Sequence, residues 1–481
     1  MDKNISKVFN KVKEINGNSP DLNTRIINKK IGYIFLESVS SDDKISDFLV
    51  KSIINIMDKK TIFDNLFSNI YKLLENKLLN SKIKTIYNYS DLYYYLSSGY
   101  TIIVIEGYKK CIAIETKENL DRSISEPDSE MSIKGPKDSF CENINKNIGL
   151  IRKRIKDKNL YIKEFIIGRR TKTKVEILYI KDIAPLDKIE FVINKIKNID
   201  IDGILDIGYI RDFIFDDETS IFPLVVNTER PDISVSNLLE GKIVIMVENS
   251  PNVIILPATI NNFIHSPEDN YQKAINVSFT RILRLLAFII TIITPGLYIA
   301  LTTFNQEVIP DTLLLSLAVQ RAKVPFPNAF SIFVLIITFE MLRESDIRLP
   351  NSMGTSISIV GALVLGDAAV NAGLVSPMAV IVIAITSITG LIFTDLDIIN
   401  AFRIWRIIFL LLSTTMGLVG FVCAGIIFTT KLCSLESLGV DYLLPYSPFN
   451  KAMFTDGILT KPRNKMYNRE NYITKNIRRL K

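Results

Sequence analysis

The sequence of 481 residues lacks most of the side chains on which enzyme chemistry depends. It contains one histidine, His265, and four cysteines, none of which forms a C-x-x-C pair. The sequence therefore has too few histidines and cysteines for a Ser-His-Asp triad, a histidine-rich metal site, a structural zinc site or a disulfide framework. The phosphate-binding patterns G-x-x-x-x-G-K-[ST] and G-x-G-x-x-G are also missing. We expect neither an enzyme nor a protein with a bound metal or cofactor.

Charged side chains are scarce in only one part of the chain. They make up 23% of all residues, yet residues 281–430 hold only eight basic and eight acidic groups. Residues 1–280 hold 40 basic and 39 acidic groups, and residues 431–481 hold 10 and 4, so most of the formal charge of +7 lies in the tail. A nucleic-acid-binding protein needs its positive charge along a binding surface, so no nucleic-acid partner is expected.

Long uncharged runs fill the part of the chain that is poor in charge. Leu285–Phe304 contains twenty residues, which as a helix measure about 30 Å, the thickness of the hydrocarbon core of a membrane. The later runs are Val324–Phe339, Asn351–Gly366, Ala368–Thr394 and Ile407–Thr430. Together these runs predict an all-α, multi-pass transmembrane domain.

Basic residues flank the first and the last of these runs. Lys273, Arg281 and Arg284 precede the first run, and Lys431 and the basic tail follow the last. Cytoplasmic flanks of membrane spans are enriched in Lys and Arg, so both termini are predicted to be cytoplasmic. This arrangement requires an even number of crossings, and the pattern leaves four and six open.

The first 280 residues show the patterns of a soluble α/β region. Residues 1–95 are mostly polar with helical spacing, whereas Tyr100–Glu106, Lys242–Glu248 and Val253–Leu256 are short apolar runs typical of buried strands. Leu186–Ile196 has the spacing of an amphipathic helix. We predict two small soluble subdomains, 1–158 and 159–280, then a transmembrane domain, 281–430, and a cytoplasmic tail, 431–481.

Small and polar residues are concentrated around the third and fourth apolar runs. Close helix packing is one interpretation, because small residues let membrane helices approach each other. A pore lining is the other, because an intramembrane carboxylate is costly and usually faces protein or a water-filled path. The candidate pore residues are Ser356, Ser358, Gly361, Asp367 and Asn371. Asp367 and Asn371 are one helical turn apart, so we expect them to face the same path.

A second candidate site lies at the end of the Val324–Phe339 run. Glu340, Arg343 and Glu344 have i, i+3 and i+4 spacing, so they can pair along one helix face. A salt-bridged helix end is the simpler interpretation of this spacing. A gate at one mouth of a pore is the alternative.

The third candidate is a polar segment in the soluble half. Its six residues are Asn227, Thr228, Glu229, Arg230, Pro231 and Asp232. Turn chemistry could place the segment on the surface, or Glu229 and Arg230 could form a buried ion pair. We predict a structural or subunit-contact role for it.

A series of short motifs resembles, in order, the A subunit of the GerA family of bacterial spore germinant receptors. The motifs are Ser125–Glu130, Gly168–Val175, Asn227–Asp232, Ser266–Asp269, Pro295–Ala300, Val324–Pro327, Phe339–Glu344 and Leu444–Pro448. The chain departs from the family pattern in two places. Near its end it has Lys461-Pro462-Arg463, where an Arg-Pro pair is common in the family. The chain has Gly-Asp-Ala-Ala-Val-Asn over 366–371, where the family tends to have Gly-Gln-x-Ala-x-Glu, so the acidic group is displaced by one turn.

The resemblance implies a multi-pass protein of the spore inner membrane that works with a permease-like B subunit and a lipoprotein C subunit. It also implies a homo-oligomer that forms or gates a path through which cations leave the spore when nutrients are sensed. Two alternatives stay open. One is a related spore-membrane protein that amplifies ion release without sensing nutrients, and the other is a non-conducting scaffold subunit.

Overall fold

The computed structural model describes residues 1–27, 30–46, 82–118, 134–215, 220–348, 366–449 and 456–470, with the separate residues 51, 127, 130, 472–474, 476, 478 and 479. The chain forms two compact units. One comprises Met1–Glu218, Val225–Ala258 and Asn464–Lys481, and the other comprises Thr219–Leu224 and Thr259–Arg463. The first unit is α/β and the second is mainly helical. This confirms the predicted order of an α/β region followed by a helical region, while the finer boundaries at 158, 280 and 430 stay predictions.

The first sheet of the α/β unit has five antiparallel strands among the described residues, in the order β1-β2-β4-β5-β3. They are Leu22–Ile27 (β1), Ile31–Leu36 (β2), Ile83–Ile86 (β3), Tyr100–Ile105 (β4) and Cys111–Glu115 (β5). Helices Ile5–Ile15 (α1) and Tyr89–Ser97 (α2) share the apolar core of this sheet. The helical prediction for residues 1–95 is wrong at β1, β2 and β3. All six residues of β2 are buried, and pairing with the distant β4 overrides the local spacing.

The second sheet also has five antiparallel strands among the described residues, in the order β6-β7-β9-β10-β8. They are Leu160–Ile167 (β6), Thr173–Ile180 (β7), Val226–Thr228 (β8), Ile243–Val247 (β9) and Val253–Leu256 (β10). The accompanying helices are Ile144–Arg154 (α3), Leu186–Lys197 (α4), Ile207–Ile214 (α5) and Pro231–Glu240 (α6). The strands predicted at Lys242–Glu248 and Val253–Leu256 and the helix predicted at Leu186–Ile196 are confirmed.

A buried ion pair joins the two sheets. Arg152 of α3 donates to Asp21, just before β1, at 2.7 and 2.9 Å, and both side chains are at most 2% exposed. Ser19 and Ser38 each donate a further hydrogen bond of 2.6 Å to the same carboxylate. Burial alone would raise the pKa of Asp21, but the Arg152 guanidinium and these hydrogen bonds hold it below its usual value. A carboxylate satisfied in this way fixes one sheet against the other.

The C-terminal residues belong to the α/β unit. Arg469 donates from Nε to the carbonyl of Leu239 at 2.8 Å. The Thr474 hydroxyl, which is buried, donates to the carbonyl of Ile183. Arg469 and Thr474 of the basic tail therefore pack on α6 and on the turn that precedes α4.

The helical unit contains four of the five predicted apolar runs, and the run Asn351–Gly366 lies outside the described residues except for Gly366. Its helices are Ile260–Ile264 (α7), Ala274–Ile299 (α8), Asp311–Arg321 (α9), Asn328–Arg348 (α10), Pro377–Gly390 (α11) and Leu396–Ser434 (α12). A π-helical turn extends α8 to Phe304, and two short strands, Glu436–Ser437 (β11) and Val440–Asp441 (β12), follow α12. Among the described residues, two helices are long and apolar enough to cross a membrane, Ala274–Phe304 and Leu396–Ser434.

Helix α12 reverses direction at Gly417. This residue has φ 60° and ψ −134°, which is outside the helical region. The rings of Trp405 and Phe428 lie 5.0 Å apart, although a straight helix would separate these residues by about 34 Å. A side chain at Gly420 would meet the Leu412 carbonyl oxygen at 2.0 Å. The 39 residues of α12 therefore form two antiparallel arms on either side of Gly417.

The first arm of α12 runs parallel to α8. The rings of Phe288 and Phe402 lie 5.2 Å apart near one end of the pair. At the other end, a Cβ on Gly417 would lie 2.6 Å from the Cβ of Phe304. The second arm then returns towards the starting end of α8, where Phe428 lies 6.2 Å from Phe288.

Helices α10 and α11 both run opposite to α8. At the start of α10, Asn328 donates to the Thr302 hydroxyl at 2.8 Å, near the far end of α8. Near the end of α11, the Thr389 hydroxyl accepts a hydrogen bond of 2.8 Å from the Thr291 hydroxyl of α8. Near the start of α11, Ala379 belongs to the same apolar cluster as Tyr298 and Ile299 of α8. The described helices of this unit therefore form a bundle that contains both parallel and antiparallel neighbours.

Candidate functional site

Two of the predicted pore residues lie on one face of a short helical stretch before α11. Residues 366–371 are helical, and the side chains of Asp367 and Asn371 are both exposed on the single chain. Their i, i+4 spacing puts them on the same side of the helix. Ser356, Ser358 and Gly361 lie outside the described residues, so their pore-lining role stays a prediction.

Glu340 of α10 is the centre of a cluster of arginines. Its carboxylate lies 3.1 Å from Arg343, 2.7 Å from Arg403 and 3.4 Å from Arg406. The pairing of Glu340 with Arg343 was predicted from their spacing. Glu344, the third member of the predicted group, lies one turn further along α10 and is exposed.

Arg403 and Arg406 belong to the first arm of α12 and were missed by the sequence analysis. Arg406 is 5% exposed, and its Nε donates to the backbone carbonyl of Thr291 of α8 at 3.1 Å. This side chain therefore links three helices, α8, α10 and α12. The available signal was the position of both arginines just before the Ile407–Thr430 run, where a basic pair marks an end of the apolar segment.

A second charged cluster lies where α8 begins. Asp269, in the 3-10 turn Pro267–Asn270, accepts from Arg281 at 2.9 Å and from Arg284 at 2.9 Å. Its side chain is 3% exposed. Burial alone would raise the pKa of Asp269, but hydrogen bonds and charge from Arg284 and then Arg281 hold it below its usual value. The two arginines that the sequence analysis used for orientation thus form buried ion pairs.

The same cluster reaches the segment after residue 455. Arg281 donates to the carboxylate of Asp456 at 3.0 Å and to the Gly457 carbonyl at 2.8 Å. The ring Nε2 of His265 lies 3.0 Å from that carbonyl. Burial, followed by the charge of Arg281, lowers the pKa of His265 to about 4, so the ring is neutral at pH 7.

The polar segment Asn227–Asp232 spans β8 and the start of α6. Arg230 is fully buried, and its Nε and one terminal nitrogen contact the two oxygens of Asp232 at 3.1 and 3.0 Å. The same guanidinium donates to the Pro136 carbonyl at 2.8 Å. Pro231 occupies the first turn of α6, where a missing N–H costs nothing. The interpretation of this segment as a surface turn is wrong for Arg230, which is buried. Arg230 does form a buried ion pair, and its partner is Asp232, whereas Glu229 was considered from the sequence.

A half-buried acid, Glu130, lies beside this segment. Glu130 accepts from the Thr228 hydroxyl at 2.5 Å and from the Glu229 backbone N–H at 3.2 Å. Burial raises the pKa of Glu130 to about 7, although these hydrogen bonds oppose the rise. None of the six residues 227–232 is exposed on the single chain, and a subunit-contact role for them stays a prediction.

Comparison with known proteins places the chain among spore germination proteins. The family model described as Bacillus/Clostridium GerA spore germination protein matches residues 4–472. The chain belongs to the GerA family. It is 38% identical to spore germination protein KA of Bacillus subtilis (strain 168) over 393 residues, 82% of this chain and 72% of that protein. It is 30% identical to spore germination protein GerLA of Bacillus cereus over 478 residues, 98% of this chain and 96% of that protein.

One solved structure is similar to part of this GerA-family chain. It is the N-terminal domain of the A subunit of the Bacillus megaterium spore germinant receptor GerK3. The match has 29% identity and a TM-score of 0.43, and it covers 54% of this chain and 97% of that domain.

Family membership confirms the resemblance drawn from the motifs, and the structure gives several motif residues a physical role. Arg230 and Asp232 anchor the start of α6, and Asp269 clamps the start of α8. Glu340 holds α10 against the first arm of α12. In this GerA protein the motifs Asn227–Asp232, Ser266–Asp269 and Phe339–Glu344 therefore supply charged contacts at the start or end of a helix.

Proposed function

We propose that this GerA-family chain is the non-enzymatic A subunit of a spore germinant receptor. Its helical unit would lie in the spore inner membrane, assemble as a homo-oligomer, and form or gate a path for cations. A permease-like B subunit and a lipoprotein C subunit would complete the receptor. The observation that carries the proposal is the exposure of Asp367 and Asn371 on one face of a short helical stretch of the helical unit.

An exposed carboxylate is the feature of this bundle that lipid tolerates least. A charged side chain at the centre of a membrane helix costs about 2.5–3.5 kcal/mol on insertion scales. Asp367 lies about two helical turns from the loop at Gly373, whose Cβ position is 3.0 Å from the Lys323 carbonyl at the end of α9. Contact with another copy of the chain, or with a water-filled path between copies, would remove this cost.

The order of the helices supports six crossings rather than four. Helix α8 and the first arm of α12 run one way, whereas α10, α11 and the second arm run the other way. Because α10 and α11 run in the same direction, we propose one further crossing between them and assign it, from the sequence alone, to the uncharged run Asn351–Gly366. Six crossings would leave both termini on the cytoplasmic side, as the basic flanks predict.

Cation flux through the assembled receptor tests the proposal. The A subunit, with its B and C partners, would be reconstituted in vesicles, and germinant-triggered potassium or sodium flux would be measured for wild type, Asp367→Leu and Asp367→Asn. A carboxylate that contributes about 1.4 kcal/mol to cation entry corresponds to about a tenfold fall in flux. Glu307→Gln, which removes an exposed acid outside the helices of the path, is the matched control.

The outcomes separate the rival functions. A tenfold fall for both Asp367 variants with an unchanged Glu307→Gln protein supports a cation path lined by Asp367. Unchanged flux and ion preference in the Asp367 variants would remove this residue from the path. Vesicles that stay silent under every activating condition, with the assembled complex present, would favour a scaffold subunit.

A further inference from the structure

The guanidinium groups around Glu340 outnumber the carboxylates that they contact. Among the described residues, Glu340 is the carboxylate within ion-pair distance of Arg343, Arg403 and Arg406. Three guanidinium groups less one carboxylate leave a surplus of about two positive charges, which a low-dielectric bundle does not tolerate without a counter-ion. The cluster therefore calls for an anion in addition to Glu340.

The donors of this cluster also exceed its acceptors. Nε of Arg343 is a buried nitrogen without a hydrogen-bond acceptor in the described residues. A terminal nitrogen of Arg343 and Nε of Arg403 lie 3.1 and 2.7 Å from the same oxygen of Glu340, but neither is aligned with it for a hydrogen bond. A second nitrogen of Arg403 donates to Asn400 at 2.9 Å. Buried donors are almost always satisfied by protein, water or an ion. A ligand with several oxygens would satisfy these nitrogens and the charge surplus together.

The cluster is graded from the interior of the bundle to its surface. The Arg406 side chain is 6% exposed, whereas Arg343 and Arg403 are 20% and 27% exposed. Arg343 lies one turn beyond Glu340 on α10, and Arg403 lies one turn before Arg406 on α12, so both are nearer to the same end of the bundle. At this end the uncharged run of α10 finishes and that of α12 begins. That is the depth at which lipid headgroups meet the ends of membrane helices.

We propose that Arg343, Arg403 and Arg406 form a binding site for the phosphate of an anionic membrane lipid. The guanidinium group of arginine can donate bidentate hydrogen bonds to two oxygens of a phosphate. Basic pockets between membrane helices on the cytoplasmic side bind anionic headgroups. The site joins α10 to the first arm of α12, so an anionic lipid would stabilise the contact between these helices. This inference rests on the membrane insertion proposed above.

Native mass spectrometry of the full chain in detergent tests the site directly. The protein would be titrated with phosphatidylglycerol and with phosphatidylcholine, and the ratio of the two dissociation constants would be measured. Each arginine near a headgroup contributes about fivefold to anionic lipid binding. We expect the double variant Arg343→Gln/Arg403→Gln to lose at least about tenfold of the preference for phosphatidylglycerol.

Three controls keep the outcomes distinct. Lys197→Gln removes an exposed cation of the α/β unit and should keep the preference of the wild type. Arg343→Lys/Arg403→Lys keeps the charge without the forks and should retain part of it, which separates loss of binding from loss of folding. Flotation with vesicles shows whether each protein inserts at all, so a failure there refutes the membrane proposal and not the lipid site alone.

Three results would overturn the proposal. The first is a wild-type protein that floats with vesicles but binds both lipids equally. The second is a preference that survives in the Arg343→Gln/Arg403→Gln variant. The third is a site that inorganic phosphate occupies in detergent without any preference between lipids, because the occupant would then be a soluble phosphate.

Discussion

Asp269 is the single carboxylate whose loss should most weaken the start of α8. In the variant Asp269→Asn, the amide keeps the shape of the side chain but loses the charge that faces Arg281 and Arg284. Removing one partner of a buried ion pair costs about 3–5 kcal/mol, because the other charge stays buried without compensation. Arg281 retains Asp456 at 3.0 Å and the Gly457 carbonyl at 2.8 Å, so the lower end of that range, about 3 kcal/mol, is expected.

Thermal unfolding of the full chain in detergent measures this effect. Trp405 is the single tryptophan and lies in the same helical unit, so its fluorescence reports on that unit. A loss of about 3 kcal/mol corresponds to a fall in Tm of about 6–12 °C for a unit of this size. The matched control Glu307→Gln removes an exposed acid of the same unit and should leave the Tm unchanged.

Acid titration and a double variant add two independent checks. Because the pKa of Asp269 is lowered from 3.8, its contribution is complete above pH 3.8 and is lost as the pH falls through the folded-state value. Asp269→Asn should remove this part of the acid sensitivity. Asp269→Asn combined with Arg284→Gln should cost less than the sum of the two single changes, since each removes the charge that the other leaves behind. A Tm within about 1 °C of wild type in Asp269→Asn would refute the reasoning.

Two further changes test the fold at other places. Gly417→Ala should destabilise the helical unit by about 1–3 kcal/mol, because φ 60° is strained for alanine and its Cβ would lie 2.6 Å from Phe304. The control Gly425→Ala has open space around its Cβ and should leave the stability unchanged. Equal Tm values for the two variants would contradict the reversal at Gly417. Burial raises the pKa of Glu176 from 4.5 to about 8, so the wild type should lose stability as the pH rises between these values. Glu176→Gln should flatten this dependence in chemical unfolding followed by circular dichroism, and an unchanged pH slope would show that Glu176 is ionised in the folded protein.

Local sequence patterns correctly predicted the helices and strands that depend on residues close together in the chain. Tyr100–Ile105 and Val253–Leu256 are short runs of β-branched and other apolar residues, and each forms a buried strand. Leu186–Lys197 carries its apolar residues at helical spacing and forms a helix with one buried face. Strand β2 pairs with the neighbouring β1 on one side, but its partner on the other side, β4, lies about seventy residues away along the chain, and no local pattern indicates that contact.

Only part of the charged cluster around Glu340 could be predicted from the sequence, because the rest depends on contacts between distant segments. Glu340 and Arg343 are three residues apart, so their spacing predicted a pair. Arg403 and Arg406 reach Glu340 across more than sixty residues, and no local pattern indicates that contact. Arg281 was assigned to membrane orientation from its position, but tertiary packing buries it against Asp269.

The sequence composition by itself determined the division of the chain into a charged α/β part and an apolar helical part. Residues 1–280 are rich in charged side chains and residues 281–430 are poor in them, and this difference does not depend on how the chain folds. The tertiary structure decided where the apolar segments turn. Ile407–Thr430 has the same composition whether it is one straight helix or two arms, and the positive φ of Gly417 selects the two arms. It also decided which charges meet, because ion pairs between distant segments exist only once the helices that carry them have packed together.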